Sequence, residues 1–146
     1  MNKSSFEEVL EKNGNLVYTN VGDSMMPLLR EHRDLVVLKK PEGRLKKYDV
    51  PLYKRPSGQY VLHRILEVRE KDYILCGDHR YHREYGVTDD QILGVLVSVV
   101  RDGQKLEVSD WRYRLYTHLW CDLFPVRALL LWIKALPVRI RRNIRR

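Results

Sequence analysis

The chain is poor in cysteine and has no long uninterrupted apolar run. Its two cysteines, Cys76 and Cys121, lie far apart and match no metal-ligand spacing, which argues against a disulfide scaffold and against a structural metal site. Two isolated thiols are typical of a reducing compartment. Residues 1–11 are polar and acidic, so we expect neither a signal peptide nor an N-terminal membrane anchor. No metal and no cofactor is expected.

The formal net charge of +8 is concentrated at one end of the chain. Residues 134–146 contain six lysine and arginine residues and no acidic residue, so the remainder is only mildly basic. Such a tail suits a polyanion, either a nucleic acid or an anionic membrane. No recognised nucleic-acid-binding module accompanies the tail, and we therefore do not expect nucleic acid as the partner.

The main part of the chain has the pattern of a β protein. Apolar residues make up 44% of the sequence, which is enough for the core of one domain. A short amphipathic helix is predicted at residues 4–10, with a serine near its N-cap. Short apolar runs between turn residues then predict strands at 16–19, 34–38, 50–53, 60–68, 73–76 and 94–100. Asp102-Gly103 predicts a hairpin. We expect a mainly β, barrel-like domain in residues 1–110.

A helical extension, residues 111–146, is predicted after this domain. It contains all three tryptophans, and Pro125 and Pro137 are expected to break it into pieces too short to span a membrane individually. Tryptophan beside a run of arginines is typical of a segment that lies at a membrane interface. The alternative is a helical hairpin packed against the β domain or against a partner.

Ser24 is the first residue with a pattern that favours chemistry. It stands on a glycine-containing turn, Val21-Gly22-Asp23-Ser24, and an apolar residue and a proline follow within three positions. This context places the hydroxyl at a rigid bend. A serine hydroxyl needs a neighbouring base to act as a nucleophile. Taken alone, the pattern is also that of an ordinary turn serine.

His63 is the candidate base, on a predicted strand where it shares one face with Val61 and Ile65. A single histidine in such a place is commonly a partly buried, hydrogen-bonded side chain. Acidic residues follow at Asp78, directly after Gly77, and at Asp89-Asp90. Individually these residues do not define a site.

In their order, these segments resemble the type I signal peptidase family over roughly residues 18–100. Ser24-Met25-Met26-Pro27 matches the S-M-x-P nucleophile box. Residues 33–37 resemble the following G-D-x-V strand, and residues 47–53 resemble the R/K-G-D-[IV]-x-x-[FY] box. Arg33 and Tyr48 replace the glycines of those two boxes.

The later boxes resemble one branch of that family. His63-Arg64-Ile65 stands where bacterial members carry K-R-[VI] and where the endoplasmic-reticulum and archaeal type carries H-R-[VI]. Gly77-Asp78 and Asp89-Asp90 are similar to the G-D-N and D-D boxes of the same type. The segment between them, residues 79–88, is longer here than in the family pattern.

The resemblance implies a serine endopeptidase with a signal-peptidase-like or LexA-like β core, Ser24 as nucleophile and His63 as base. Histidine, with an unperturbed pKa near 6.5, is a competent base at neutral pH. A carboxylate would fix its tautomer, and the box matches imply Asp90 first and Asp78 second for that role. The backbone N–H of Ser24 is expected to stabilise the oxyanion.

Such an enzyme would cleave a leader or signal segment from a peptide or protein. Because the arginine-rich tail resists translocation, we expect a membrane-associated protein with its catalytic domain on the cytoplasmic side, at a maturation or transport complex. One alternative is a catalytically silent, membrane-associated peptide-binding protein that keeps the same fold. A LexA-type self-cleaving regulator is the other, but that type uses a lysine base and a DNA-binding module, and the sequence shows neither.

Overall fold

The computed structural model describes residues 5–144, with side chains described as far as Pro137. The side chains of Arg139, Arg141 and Arg142, and the whole of Arg145 and Arg146, lie outside the described residues. The chain is mainly β, with a curled half-barrel sheet, a short N-terminal helix and two C-terminal helices.

Helix α1, Phe6–Asn13, confirms the predicted N-terminal helix. Ser5 caps it in a reciprocal capping box: the Glu8 backbone N–H donates to the Ser5 hydroxyl, and the Ser5 backbone N–H donates to the Glu8 carboxylate. Gly14 ends the helix in the left-handed conformation, with φ of 73°. The side chain of Phe6 lies against Tyr18 and Tyr60, with ring centroids 5.1 and 5.0 Å apart.

The larger sheet is antiparallel and has the order β1-β2-β8-β3-β4, with β9 paired to β8. Its strands are β1 (Asn15–Thr19), β2 (Leu35–Lys39), β3 (Pro51–Lys54), β4 (Tyr60–Leu62), β8 (Ile92–Arg101) and β9 (Gln104–Glu107). The central strand β8 pairs with β2, β3 and β9. The hairpin predicted at Asp102-Gly103 joins β8 to β9 and is confirmed.

The smaller sheet has the order β5-β6-β7, formed by β5 (Arg64–Val68), β6 (Tyr73–Cys76) and β7 (Glu84–Val87). The single strand expected over 60–68 is wrong, because the chain leaves the larger sheet at Leu62 and enters the smaller one at Arg64. His63 is the residue between them. Strand β7 was not expected, since residues 79–88 show no apolar alternation.

Two hydrophobic clusters fill the interior. One lies under the larger sheet and includes Met25, Leu29 and Leu52, together with Tyr113 from the C-terminal region. The other surrounds Tyr53, Ile65 and Leu75 and joins the two sheets. Because side chains from both sheets share this second cluster, the position of each sheet depends on the other.

The C-terminal helices are α2, Trp111–Asp122, and α3, Phe124–Ile144. A break before Pro125 agrees with expectation, but the break expected at Pro137 is wrong, because α3 continues through it. A proline removes one backbone hydrogen bond of a helix and strains the preceding turn. In α3 the remaining backbone hydrogen bonds are sufficient for the helix to continue past Pro137. Within the described residues, no helix combines the length and the apolar character needed to cross a membrane.

Candidate active site

Ser24 and His63 line the same surface cavity, which has a volume of about 410 Å³. Leu52, Val61 and Leu62 form part of its wall. Aromatic and charged side chains complete the lining, namely Phe6, Tyr18, Tyr60, Asp23, Arg55 and Arg80. The fold therefore brings the two residues predicted as nucleophile and base to one accessible place, although 39 positions separate them in the sequence.

The turn that carries Ser24 is held from both sides. Before it, the Asn20 side chain donates to the carbonyl of Gly22 at 3.0 Å, and Gly22 has φ of 94°, a conformation that favours glycine. After it, the side chain of Met25 is 1% exposed and belongs to the core. Ser24 is thus fixed between a hydrogen-bonded turn and a buried anchor.

Asp23, which precedes the nucleophile candidate, forms an ion pair with Arg80, with Oδ1 and Nη2 2.6 Å apart. The hydrogen bond from Arg80 lowers the pKa of Asp23, so the carboxylate stays charged. Nearby, the His79 backbone N–H donates to the Ser24 carbonyl at 2.8 Å. The turn after Gly77 therefore holds the Ser24 turn by a backbone hydrogen bond and by a charge pair.

Asp34, from the G-D-x-V-like box, anchors the segment between Ser24 and β2. Its buried carboxylate accepts from the backbone N–H and guanidinium of Arg30 and from Arg101. Arg101 also donates to the carbonyls of Pro27 and Leu28, at 2.8 and 2.9 Å. These contacts make Asp34 a positioning residue for the loop rather than part of the cavity.

Gly77 allows the two candidate residues to approach each other. A Cβ atom at this position would stand 2.5 Å from the Ser24 carbonyl oxygen and 3.2 Å from His63 Cδ2. The first distance is shorter than side-chain contacts allow, so any other residue would displace the Ser24 backbone, and the second would require the His63 ring to shift by a few tenths of an ångström. The ring carbon Cδ2, which is bonded to Nε2, therefore lies toward Gly77, beside the Ser24 carbonyl.

The opposite nitrogen of the ring faces Tyr53 and Glu84. His63 Nδ1 lies 3.4 Å from the Tyr53 hydroxyl and 3.9 Å from Glu84 Oε2. The Tyr53 hydroxyl donates its hydrogen to Glu84 Oε2, which leaves its oxygen as an acceptor for His63. When His63 Nδ1 donates to this oxygen, Nδ1 carries the hydrogen and Nε2 carries the free lone pair. This is the tautomer that a base acting on Ser24 requires.

Burial and neighbouring charges keep Glu84 ionised, Tyr53 protonated and His63 neutral. Burial opposes the ionisation of Glu84, but hydrogen bonds from Arg55 and Tyr53 outweigh it and hold the pKa of Glu84 below its usual value. Burial and the bond to Glu84 raise the pKa of Tyr53, which stays protonated. Burial lowers the pKa of His63 from 6.5 to about 4, against the opposing charge of Glu84, so the ring is neutral at pH 7.

In the part of the chain that the structure describes, no hydrogen bond joins the Ser24 hydroxyl to the His63 ring, and none engages the Ser24 backbone N–H. Catalytic hydrogen bonds in a substrate-free site are often loose and shorten when substrate binds. The free N–H is available as a donor to a substrate oxygen.

Asp78, the second candidate for orienting His63, is engaged by other partners in the structure. Its fully buried carboxylate accepts two hydrogen bonds from Arg64, each 2.8 Å, and one from Tyr116 at 2.8 Å. Its backbone carbonyl accepts from Trp120 Nε1 at 2.7 Å. Asp78 therefore joins β5 to α2 instead of serving the base.

Asp90, the first candidate for orienting His63, is likewise engaged by another partner. It is exposed in a short 3-10 turn, Asp89–Gln91, and its carboxylate accepts from the Thr88 hydroxyl. Its neighbour Asp89 accepts from Arg44 at 2.7 Å and from Tyr73. Asp89 and Asp90 thus fix the connection between β7 and β8. The carboxylate beside His63 belongs instead to Glu84 in β7, a residue that sequence reasoning missed.

Tyr48 stands at a position where the box that residues 47–53 resemble has glycine. Its φ is 77°, the left-handed region where the corresponding box has glycine. The side chain is retained through contacts: its hydroxyl donates to Asp122, and its ring lies against His118 with centroids 5.1 Å apart. The strained backbone is therefore held by α2.

The chain matches no protein-family model, no curated protein and no solved structure.

Proposed function

We propose that this protein is a serine endopeptidase that cleaves a leader or signal segment from a peptide or protein. One observation carries the proposal: Ser24 and His63 line a single cavity, with His63 Cδ2 toward Gly77 beside the Ser24 carbonyl and His63 Nδ1 3.4 Å from the Tyr53 hydroxyl. A neutral histidine in that tautomer is able to accept the proton of a serine hydroxyl.

In the proposed reaction, His63 Nε2 takes the Ser24 proton while Ser24 Oγ attacks the scissile carbonyl carbon. The backbone N–H of Ser24 stabilises the oxyanion that forms. The protonated His63 then gives its proton to the leaving amine, and the peptide C–N bond breaks to leave an acyl-enzyme. Water, deprotonated by His63, hydrolyses the ester and restores Ser24.

Tyr53 and Glu84 act through His63 in this scheme. The ionised Glu84 holds the Tyr53 hydroxyl, the Tyr53 oxygen holds the Nδ1 hydrogen, and the negative charge of Glu84 stabilises the imidazolium once it forms. They are positioning residues and take the part that the sequence analysis assigned to Asp90 or Asp78.

The test is covalent labelling of the full chain with a serine-directed acylating probe. Ser24→Ala and His63→Ala should each abolish labelling, because one removes the nucleophile and the other its base. Ser57→Ala and His32→Ala are matched controls at exposed positions and should label like the wild type.

Labelling that persists in Ser24→Ala would refute the assignment of the nucleophile. A folded wild-type protein that takes up no probe would favour the catalytically silent peptide-binding protein instead, for which the absent Ser24–His63 hydrogen bond is the structural argument.

A further inference from the structure

Helix α2 is apolar on two opposite faces. Its inner face packs on the β domain through Tyr113 and Cys121, which are 5% and 7% exposed. Residues two positions apart on a helix point in nearly opposite directions, so Trp111, Leu115 and Leu119 form the outer face. These three are 70%, 50% and 57% exposed. The outer face therefore exposes three large apolar side chains, beside the polar His118 and Asp122.

Exposed apolar side chains continue from α2 into α3. Arg127 is 4% exposed, and its guanidinium group stacks on the rings of Phe124 and Trp120 and donates to the Arg80 carbonyl. This contact fixes the start of α3 to the β domain. The side of α3 that faces away from the β domain exposes further apolar side chains. The outer apolar residues of α2, of α3 and of the junction between them are Trp111, Leu115, Leu119, Leu123, Val126, Leu129, Leu130, Trp132 and Ile133.

The charge of this region indicates what covers it. Residues 111–146 hold nine arginines and lysines and one acidic residue, Asp122, so they account for the whole net charge of +8. Asp122 is already engaged by Tyr48 and His118. A second copy of this region would bring like charges together, whereas a negatively charged surface would be attracted.

We infer that the outer apolar residues dock on the surface of an anionic lipid bilayer. The apolar side chains would enter the boundary between headgroups and acyl chains, with Trp132 at the level typical of interfacial tryptophan. The net positive charge of residues 111–146 would attract the phosphates of acidic lipids. Since cytoplasmic leaflets carry the anionic lipids, this surface would hold the Ser24–His63 cavity on the cytoplasmic side.

The test is co-sedimentation of the full chain with phosphatidylcholine vesicles, with and without phosphatidylserine. Binding to the anionic vesicles should be stronger by about tenfold or more, and high salt should release the protein, because charge attraction is screened. Leu129→Ser combined with Ile133→Ser should weaken binding by about tenfold, because two apolar side chains no longer enter the membrane.

The matched control is Val17→Ser combined with Val68→Ser, which removes two exposed apolar side chains from the β domain. This variant should bind like the wild type. Equal binding to neutral and anionic vesicles, or no binding, would overturn the inference. So would a concentration-dependent dimer in sedimentation velocity that Leu129→Ser/Ile133→Ser abolishes, since a second copy would then be the occupant. Vesicle binding is measured without turnover, so its failure is separate from that of the peptidase proposal.

Discussion

At the residue scale, the side chains around His63 decide its protonation state. The hydrogen of the Tyr53 hydroxyl goes to Glu84, and His63 Nδ1 lies 3.4 Å from the Tyr53 oxygen. Tyr53 occupies the last position of a recognisable box, but Glu84 lies in a polar segment with no pattern that separates it from a solvated surface residue. Its role follows only from the pairing of β6 with β7.

The pH dependence of probe labelling should report the burial of His63. Only the neutral ring can accept the Ser24 proton, and burial lowers its pKa to about 4. The neutral form therefore persists as the pH falls, and the labelling rate should decline only near pH 4, not near the ordinary histidine value of about 6.5. Labelling rates measured across this range test the point. A decline centred near the ordinary value would show that the ring is solvated.

Tyr53→Phe and Glu84→Gln should each slow labelling at neutral pH by about tenfold or more. Tyr53→Phe removes the acceptor of the His63 Nδ1 hydrogen, and Glu84→Gln removes the carboxylate that orients this acceptor. Long-range ¹⁵N correlation spectra of labelled histidine should show Nδ1–H in the wild type and a tautomer mixture in both variants. Tyr85→Phe and Glu42→Gln, at exposed positions, serve as controls. An unchanged His63 tautomer in both variants would remove Tyr53 and Glu84 from the mechanism.

At the element scale, the predictable parts are those with strong local signals. The capping box and Gly14 bound α1, and the apolar runs of β2, β6 and β8 lie close to their expected limits. Two features were missed because they depend on tertiary contacts. The strand break at His63 comes from pairing with two different sheets, and strand β7 comes from pairing with β6. The continuation of α3 through Pro137 was missed for a local reason, because the helical residues on either side continue the helix past the proline.

The buried ion pair between Arg64 in β5 and Asp78 after β6 gives a prediction that separates structure from catalysis. Asp78→Asn leaves the Arg64 guanidinium buried without its counter-charge, which should lower the free energy of unfolding by about 3–5 kcal/mol. Urea unfolding followed by circular dichroism measures the change.

Asp90→Asn is the comparison, at an exposed turn, and should leave both unfolding and labelling nearly unchanged. If Asp78→Asn slowed labelling while the unfolding curve stayed in place, the original assignment of Asp78 as the orienting acid would be correct.

At the scale of the whole molecule, α2 is part of the same core as the β strands. Tyr113 belongs to the main hydrophobic cluster, and Tyr116 and Trp120 bond to Asp78 between Gly77 and His79, the two residues that contact Ser24. The position of the Ser24 turn therefore depends on α2, although the change in composition at Asp110 led to the prediction that this helix lies outside the β domain.

A chain ending at Ser109 should lose at least about 3 kcal/mol of unfolding free energy, because it uncovers the Arg64–Asp78 pair and removes Tyr113 from the core. A chain ending at Pro137 keeps α2 and the Arg127 contacts and should unfold close to the full chain. Urea titrations of the two chains decide this, and equal stability of both would mean that α2 is an appendage.

His63 stands at the seam between the two sheets, after the last residue of β4 and before the first of β5. Its partner Tyr53 comes from the larger sheet, and Glu84 comes from the smaller one. During synthesis, a chain that has formed only one sheet has a serine without an oriented base. On the function proposed above, the protein would thus remain inert towards other newly made polypeptides until both of its sheets have formed.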